Sequence, residues 1–193
     1  ERTAIILVPE ISLTPQMVSR YRARFGATAA VLHSRLSAGE RFDEWRRLRL
    51  GEARVAIGAR SAVFAPVEQL GLIVVDEEHE QSYRSENNPR YDARTVAVRR
   101  CWKEGAALVL GSATPAVERY ALVDSGKLTL LPMMRRATDM PLPNVEVVDM
   151  RRELSGGNKS IFSRTLYERM RACLNAGDQM ILYINRRGMN QFI

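Results

Sequence analysis

Cysteine is nearly missing from this sequence: Cys101 and Cys173 are the only two in 193 residues, and they lie far apart. Neither belongs to a C-x-x-C pair, so the chain encodes no zinc finger and no disulfide framework. Both read as free thiols in a reducing compartment. Lysine is almost as scarce. Lys103, Lys127 and Lys159 are the whole set, so arginine makes up the rest of the 29 basic residues and a net charge of +7. No apolar run approaches the roughly 20 residues of a membrane span. The first such run, residues 4–8, is too short for a signal-peptide core. The chain therefore reads as soluble and not exported. A further absence bears on chemistry. No G-x-x-x-x-G-K-[ST] occurs, so the lysine and backbone cradle that grips nucleotide phosphates is not in this chain.

What is present is a core-forming chain, 46% hydrophobic, with a basic surface. A basic surface suits nucleic acid, an anionic membrane or an acidic protein. Arginine suits bidentate phosphate contacts and base stacking, although a GC-rich genome produces the same bias. Short apolar segments at residues 4–8, 29–32, 55–57, 72–75 and 108–110 predict strands. They alternate with amphipathic helices predicted over 14–25, 37–50, 91–102 and 115–125. Further strands are expected at 128–132, 145–148 and 180–184, with a helix over 163–174. This alternation predicts an α/β fold, a parallel sheet covered by helices on both faces. The proline-bearing stretch 133–143 marks a boundary, giving domains at 1–142 and 143–193. The chain does not begin with Met, and its last run opens an element that is not finished. It reads as an internal piece of a longer protein.

Two strand ends carry the chemistry. Leu72-Ile73-Val74-Val75 runs straight into Asp76-Glu77-Glu78-His79, and Leu108-Val109-Leu110 into Gly111-Ser112-Ala113-Thr114-Pro115. In a parallel sheet, ligands bind outside the carboxyl ends of the strands. An Asp placed there can hold Mg²⁺, and a neighbouring carboxylate can activate a water. Alone, the acidic run is also what a solvated turn would look like, and Ser-Ala-Thr is also a helix cap. Two such loops in this order on parallel strands favour a nucleotide motor.

Basic loops surround the pair. Arg60 and Ser61, in Gly58-Ala59-Arg60-Ser61, can meet a phosphate backbone or an ordinary surface carboxylate. Pro9-Glu10-Ile11-Ser12-Leu13-Thr14 leads into a helix N-terminus, an anion site or a plain cap. Tyr83, Arg84, Arg90, Tyr91 and Arg94 interleave aromatic and cationic groups, as a single-strand stacking platform does; tyrosines folded onto the core fit the same pattern. Arg186 and Arg187 can reach phosphates or form a solvated turn.

Taken in order, these runs resemble bacterial primosomal protein N′, the PriA family of replication-restart helicases in superfamily 2. The resemblance rests on Leu7 to Gln16, Leu32-His33-Ser34, Gly58 to Pro66, the Asp-Glu-Glu-His box of DEAH type, Pro89-Arg90-Tyr91-x-Ala93-Arg94, Leu110 to Pro115, Val148-Asp149-Met150-Arg151 and Asn185-Arg186-Arg187-Gly188. It spans essentially the whole chain. It implies a two-lobed RecA-like motor, an ATP-binding hydrolase that moves 3′ to 5′ on DNA. Such a motor acts at stalled forks and D-loops in DNA replication, primosome assembly and replication restart. Residues 1–142 would be lobe 1 without its first strand and phosphate loop, and 143–193 the start of lobe 2. Asp76 would bind Mg²⁺ with ATP, Glu77 would activate water, and His79 would couple to Ser112, Ala113 and Thr114. Arg60, Ser61, Tyr83, Arg84, Arg90, Tyr91, Arg94, Arg186 and Arg187 would face DNA. Zinc would belong to the parent protein outside this chain. Primosome proteins and single-stranded DNA-binding protein would be partners, in a cytoplasmic, nucleoid-associated setting. The chain alone would be inactive. Two alternatives stay open: another superfamily 2 DNA translocase, or a non-catalytic DNA-binding module with a degenerate nucleotide site.

Overall fold

The computed structural model describes residues 2–135 and 142–183. The chain divides into two compact units, Glu1–Pro132 and Met133–Ile193.

In the first unit, the apolar runs become five strands: β1 (Thr3–Leu7), β2 (Ala29–Leu32), β3 (Val55–Gly58), β4 (Leu70–Val75) and β5 (Ala107–Leu110). All pair in parallel, in the order β2-β3-β1-β4-β5. Strand β2 and nearly all of β3 are buried on both faces, and β1 and β4 alternate wholly buried with half-buried positions; with neither face open to solvent, the strands read as continuous apolar runs. Ile5, Leu7, Ala56, Ile57, Ile73 and Val75 are wholly buried. Each large apolar side chain so buried contributes about 1.5–3 kcal/mol.

Helices connect the strands. Helix α1 (Pro15–Phe25) starts where Thr14 accepts the Met17 N–H with a proline at the first turn, a combination that satisfies one free donor and presets φ. Helix α2 (Ala38–Arg49) starts with a reciprocal capping box between Ser37 and Glu40, and α3 (Ala93–Glu104) is capped by Asp92. Helix α3 packs on β4 and β5, and α2 on β2. The helix α4 (Val117–Asp124) follows β5. The expected parallel sheet with its helices, RecA-like in arrangement, is thus present. One close approach fixes the loop after β3: a Cβ on Gly58 would collide with the Leu32 carbonyl and the Ala62 methyl, so only glycine fits.

In the second unit, α5 (Met150–Ser155) and α6 (Arg164–Asn175) are capped by Asp149 and Ser163. Asn158 donates to Glu153 Oε2 at 2.7 Å and to the Phe162 carbonyl at 2.9 Å, and so holds the intervening turn. The sequence pattern predicts α6 but not α5. The strands expected at 128–132, 145–148 and 180–184 are absent among the described residues. Val145, Val147 and Ile181 are largely exposed there. A strand needs a neighbour to take up its backbone groups, and no described segment supplies one.

Candidate functional site

The site forms where β1, β4 and β5 release the chain on the same side of the sheet. The Asp76 N–H donates to the Leu7 carbonyl at 2.9 Å. The Gly111 N–H donates to the Val75 carbonyl at 2.8 Å, and the Glu78 N–H returns to the Gly111 carbonyl at 2.9 Å. Parallel pairing of β4 with β5 therefore continues past the strand ends and sets the acidic turn beside the Ser112 loop.

Within the turn, the Asp76 carboxylate accepts the Glu77 N–H at 3.1 Å. Glu77 has φ +46°, a left-handed conformation rare outside glycine. Such a residue costs about 1–2 kcal/mol and persists where neighbours over-determine it, typically at functional sites. His79 Nδ1 lies 2.7 Å from Ser112 Oγ and 3.5 Å from Glu77 Oε2. Ser112 Oγ also accepts the Thr114 N–H at 3.0 Å. A serine hydroxyl donates and accepts at once, so one side chain orders its own loop and touches the histidine. Asp76, Glu77, His79 and Ser112 are all half-buried and open to a ligand. Ala113 and Thr114 stand exposed beside them.

Further contacts brace the turn from inside. The Tyr83 hydroxyl donates to the Asp76 carbonyl at 2.6 Å. Burial, reinforced by the Asp76 charge, pushes its phenol well above the usual value, so it stays a donor. Arg94 is buried. It meets Asp92 with Nε–Oδ1 at 2.9 Å and Nη2–Oδ2 at 2.6 Å, and gives Nη1 to the Glu78 carbonyl at 2.6 Å. Burial alone would raise the Asp92 carboxyl. The hydrogen bonds and charge of Arg94, with a further bond from Arg84, outweigh it and hold that carboxyl below its ordinary range.

These positions correct part of the expectation from sequence. Tyr83 and Arg94, expected to face DNA, are inside the protein; Asp92 two residues away captures Arg94 before any phosphate could. Arg60 is also engaged, donating to the carbonyls of Arg84 at 2.9 Å and Ser82 at 3.4 Å. It braces the segment after the acidic turn instead of standing free. Ser61, Arg84 and Arg90 are exposed. Arg84 nevertheless pairs with Asp92 at 3.3 Å. Half-buried Tyr91 stacks edge-on against Phe64, with ring centroids 5.0 Å apart. Arg186 and Arg187 lie outside the described residues. Elsewhere on the same unit, Glu10, Leu13, Thr14, His33, Ser34 and Arg35 line a cleft of about 180 Å³ at the start of α1. Sequence reasoning gives no role to Glu78 or Asp92; the Asp-x-Arg spacing before α3 is the available signal for the second.

Among the described residues, no cluster of three His, Cys, Asp or Glu side chains could hold a metal alone. One carboxylate at a strand end is instead the pattern for Mg²⁺, which takes a carboxylate or two and completes its shell with phosphates and water. Asp76 fits that pattern.

The DEAD/DEAH box helicase family matches residues 1–122, and the chain belongs to that family. It is 50% identical over its whole length to a replication restart protein PriA of Bacillus subtilis, 47% to that of Synechocystis, and 44% over 98% of its length to that of Treponema pallidum. The chain spans 24%, 24% and 28% of these three proteins, about a quarter of each.

Proposed function

We propose that this chain is the hydrolysis and coupling segment of an ATP-driven DNA helicase that serves replication restart. The observation that carries the reading is the 2.7 Å contact between His79 and Ser112, beside the carboxylates of Asp76 and Glu77. It joins the turn that would meet the nucleotide to a loop on the next strand, and coupling of hydrolysis to movement needs such a link. Asp76 would hold Mg²⁺ on the nucleotide, and the ion would supply charge stabilisation at the phosphates. Glu77 would orient and deprotonate the attacking water. His79 would report the state of this pair to Ser112. Residues 1–142 are then lobe 1 and 143–193 the start of lobe 2. In that reading the phosphate loop and the zinc-binding cysteines belong to the rest of the protein. The exposed Ser61, Arg84 and Arg90, with Tyr91, are the DNA-facing set, and forked or single-stranded DNA is the substrate. Primosome proteins and single-stranded DNA-binding protein follow as partners.

In the full-length protein, Glu77→Gln should reduce DNA-stimulated ATP turnover by about 10²-fold or more while nucleotide affinity stays within a few-fold. The 193-residue chain alone should show no turnover. Wild-type rates in the Gln variant would remove Glu77 from its role. Stimulated turnover by the short chain would show that the phosphate grip is not required.

A further inference from the structure

Glu78 is the one member of the acidic turn with no part in the chemistry above, and it is the most deeply buried of the four, 2% exposed. Burying a carboxylate is costly unless it is hydrogen-bonded. Here its Oε1 accepts the N–H of Ala116, the residue capping α4, at 2.7 Å. Its Oε2 accepts no hydrogen bond; the nearest cation is Arg119 on α4, with Nε at 3.7 Å. Its backbone N–H donates to the Gly111 carbonyl at 2.9 Å, and its carbonyl accepts from Arg94 at 2.6 Å.

Gly111 and Ala116 are the two ends of the Ser112-Ala113-Thr114 loop. One residue of the acidic turn therefore grips that loop at both ends, through its backbone at the first and its side chain at the second. Among the described residues, the middle of the loop makes one hydrogen bond to the turn, from Ser112 to His79. Without the grip at Ala116, the loop would be tied to the turn at Gly111 and through a half-exposed imidazole. The α4 N-terminus would also lose the acceptor for its capping N–H.

We infer that Glu78 is the positioning residue that holds the Ser112 loop in register with the acidic turn, so that movement of one is transmitted to the other. This rests on the helicase reading above. Glu78 touches neither nucleotide nor water in this role; it acts through Ala116 and the loop.

The test compares Glu78→Ala with Glu78→Gln in the full-length protein, because glutamine keeps an acceptor oxygen for the Ala116 N–H. Two quantities are measured: base pairs unwound per ATP hydrolysed, and amide hydrogen exchange at Ala116 and Ser112 relative to β1 and β4. The Ala variant should lose at least tenfold in unwinding per ATP and exchange the loop amides at least tenfold faster, with the sheet amides unchanged. The Gln variant should stay within about threefold of wild type in both. Unwinding per ATP unchanged in the Ala variant overturns the inference, as does faster exchange spread evenly over loop and sheet, which is the mark of general destabilisation. Failure of the wild-type protein to hydrolyse ATP with DNA would sink the helicase reading instead. The exchange pattern would then still decide whether Glu78 holds the loop.

Discussion

The turns at the ends of β4 and β5 and the segment from Gln81 to Arg94 both carry ionisable side chains and use them in opposite ways. In the turns, Asp76, Glu77, His79 and Ser112 stay half-buried, with contacts that leave faces of each group open. In the segment, Arg94 and Tyr83 are spent inside the protein, while Arg90 four residues before Arg94 is exposed. The difference is one of local partners. Arg94 has Asp92 within bidentate reach and the Glu78 carbonyl beneath it, so all three of its guanidinium nitrogens are engaged. Arg90 has neither carboxylate nor carbonyl on its side of the chain among the hydrogen bonds of the described residues. The inner region braces the acidic turn from behind; the outer tip stays exposed.

Breaking the inner region should have the largest effect. Arg94→Ala strips Asp92 of its bidentate partner, leaving it the longer Arg84 contact, and leaves the Glu78 carbonyl without its donor. Loss of about 3 kcal/mol in denaturant unfolding is expected. A loss below about 0.5 kcal/mol, with weaker DNA binding, would restore Arg94 to the DNA-facing set.

A smaller effect, with a direction in pH, comes from Asp92. Its carboxyl titrates below the ordinary value of 3.8 in the folded protein. Its contribution is therefore fully present above that value and is lost as pH falls through the lower folded value. Asp92→Asn should destabilise the protein by about 2 kcal/mol at pH 7. It should also flatten the acid limb of a stability–pH profile below about pH 4. An unchanged acid limb would mean that other carboxylates govern acid unfolding.

The smallest effect on stability tests the outer region. Arg90→Ala should shift unfolding by no more than about 0.5 kcal/mol, yet weaken single-stranded DNA affinity and reduce its salt dependence by about one ion. Unaltered affinity and salt slope would take Arg90 off the DNA path.

Much of the fold and of the acidic turn is legible in the chain's local patterns. The unbroken apolar runs announce buried parallel strands, because a strand covered on both faces has no polar side to show. Thr14-Pro15 announces a helix start. The adjacency of Asp76 and Ser112 follows once two consecutive strands are parallel neighbours. The strands expected in the second unit failed for a reason that local sequence does not carry: β structure is completed by a partner, and Val145 and Val147 have none in the described residues.

By itself, the sequence determined the alternation of elements, the parallel sheet and the placement of an acidic turn and a hydroxyl loop at strand ends. All of these depend on hydrophobic patterning and capping within a few residues. Only the tertiary structure decided which charged groups are free. Whether Arg94 meets Asp92, whether Arg60 meets the Arg84 carbonyl and whether Glu78 reaches the amide of Ala116 depend on groups 2, 24 and 38 positions apart in the chain. A buried charge goes to the partner that the fold brings within about 3 Å, and the two more distant of these pairings exist only once β3, β4, β5 and α3 are assembled.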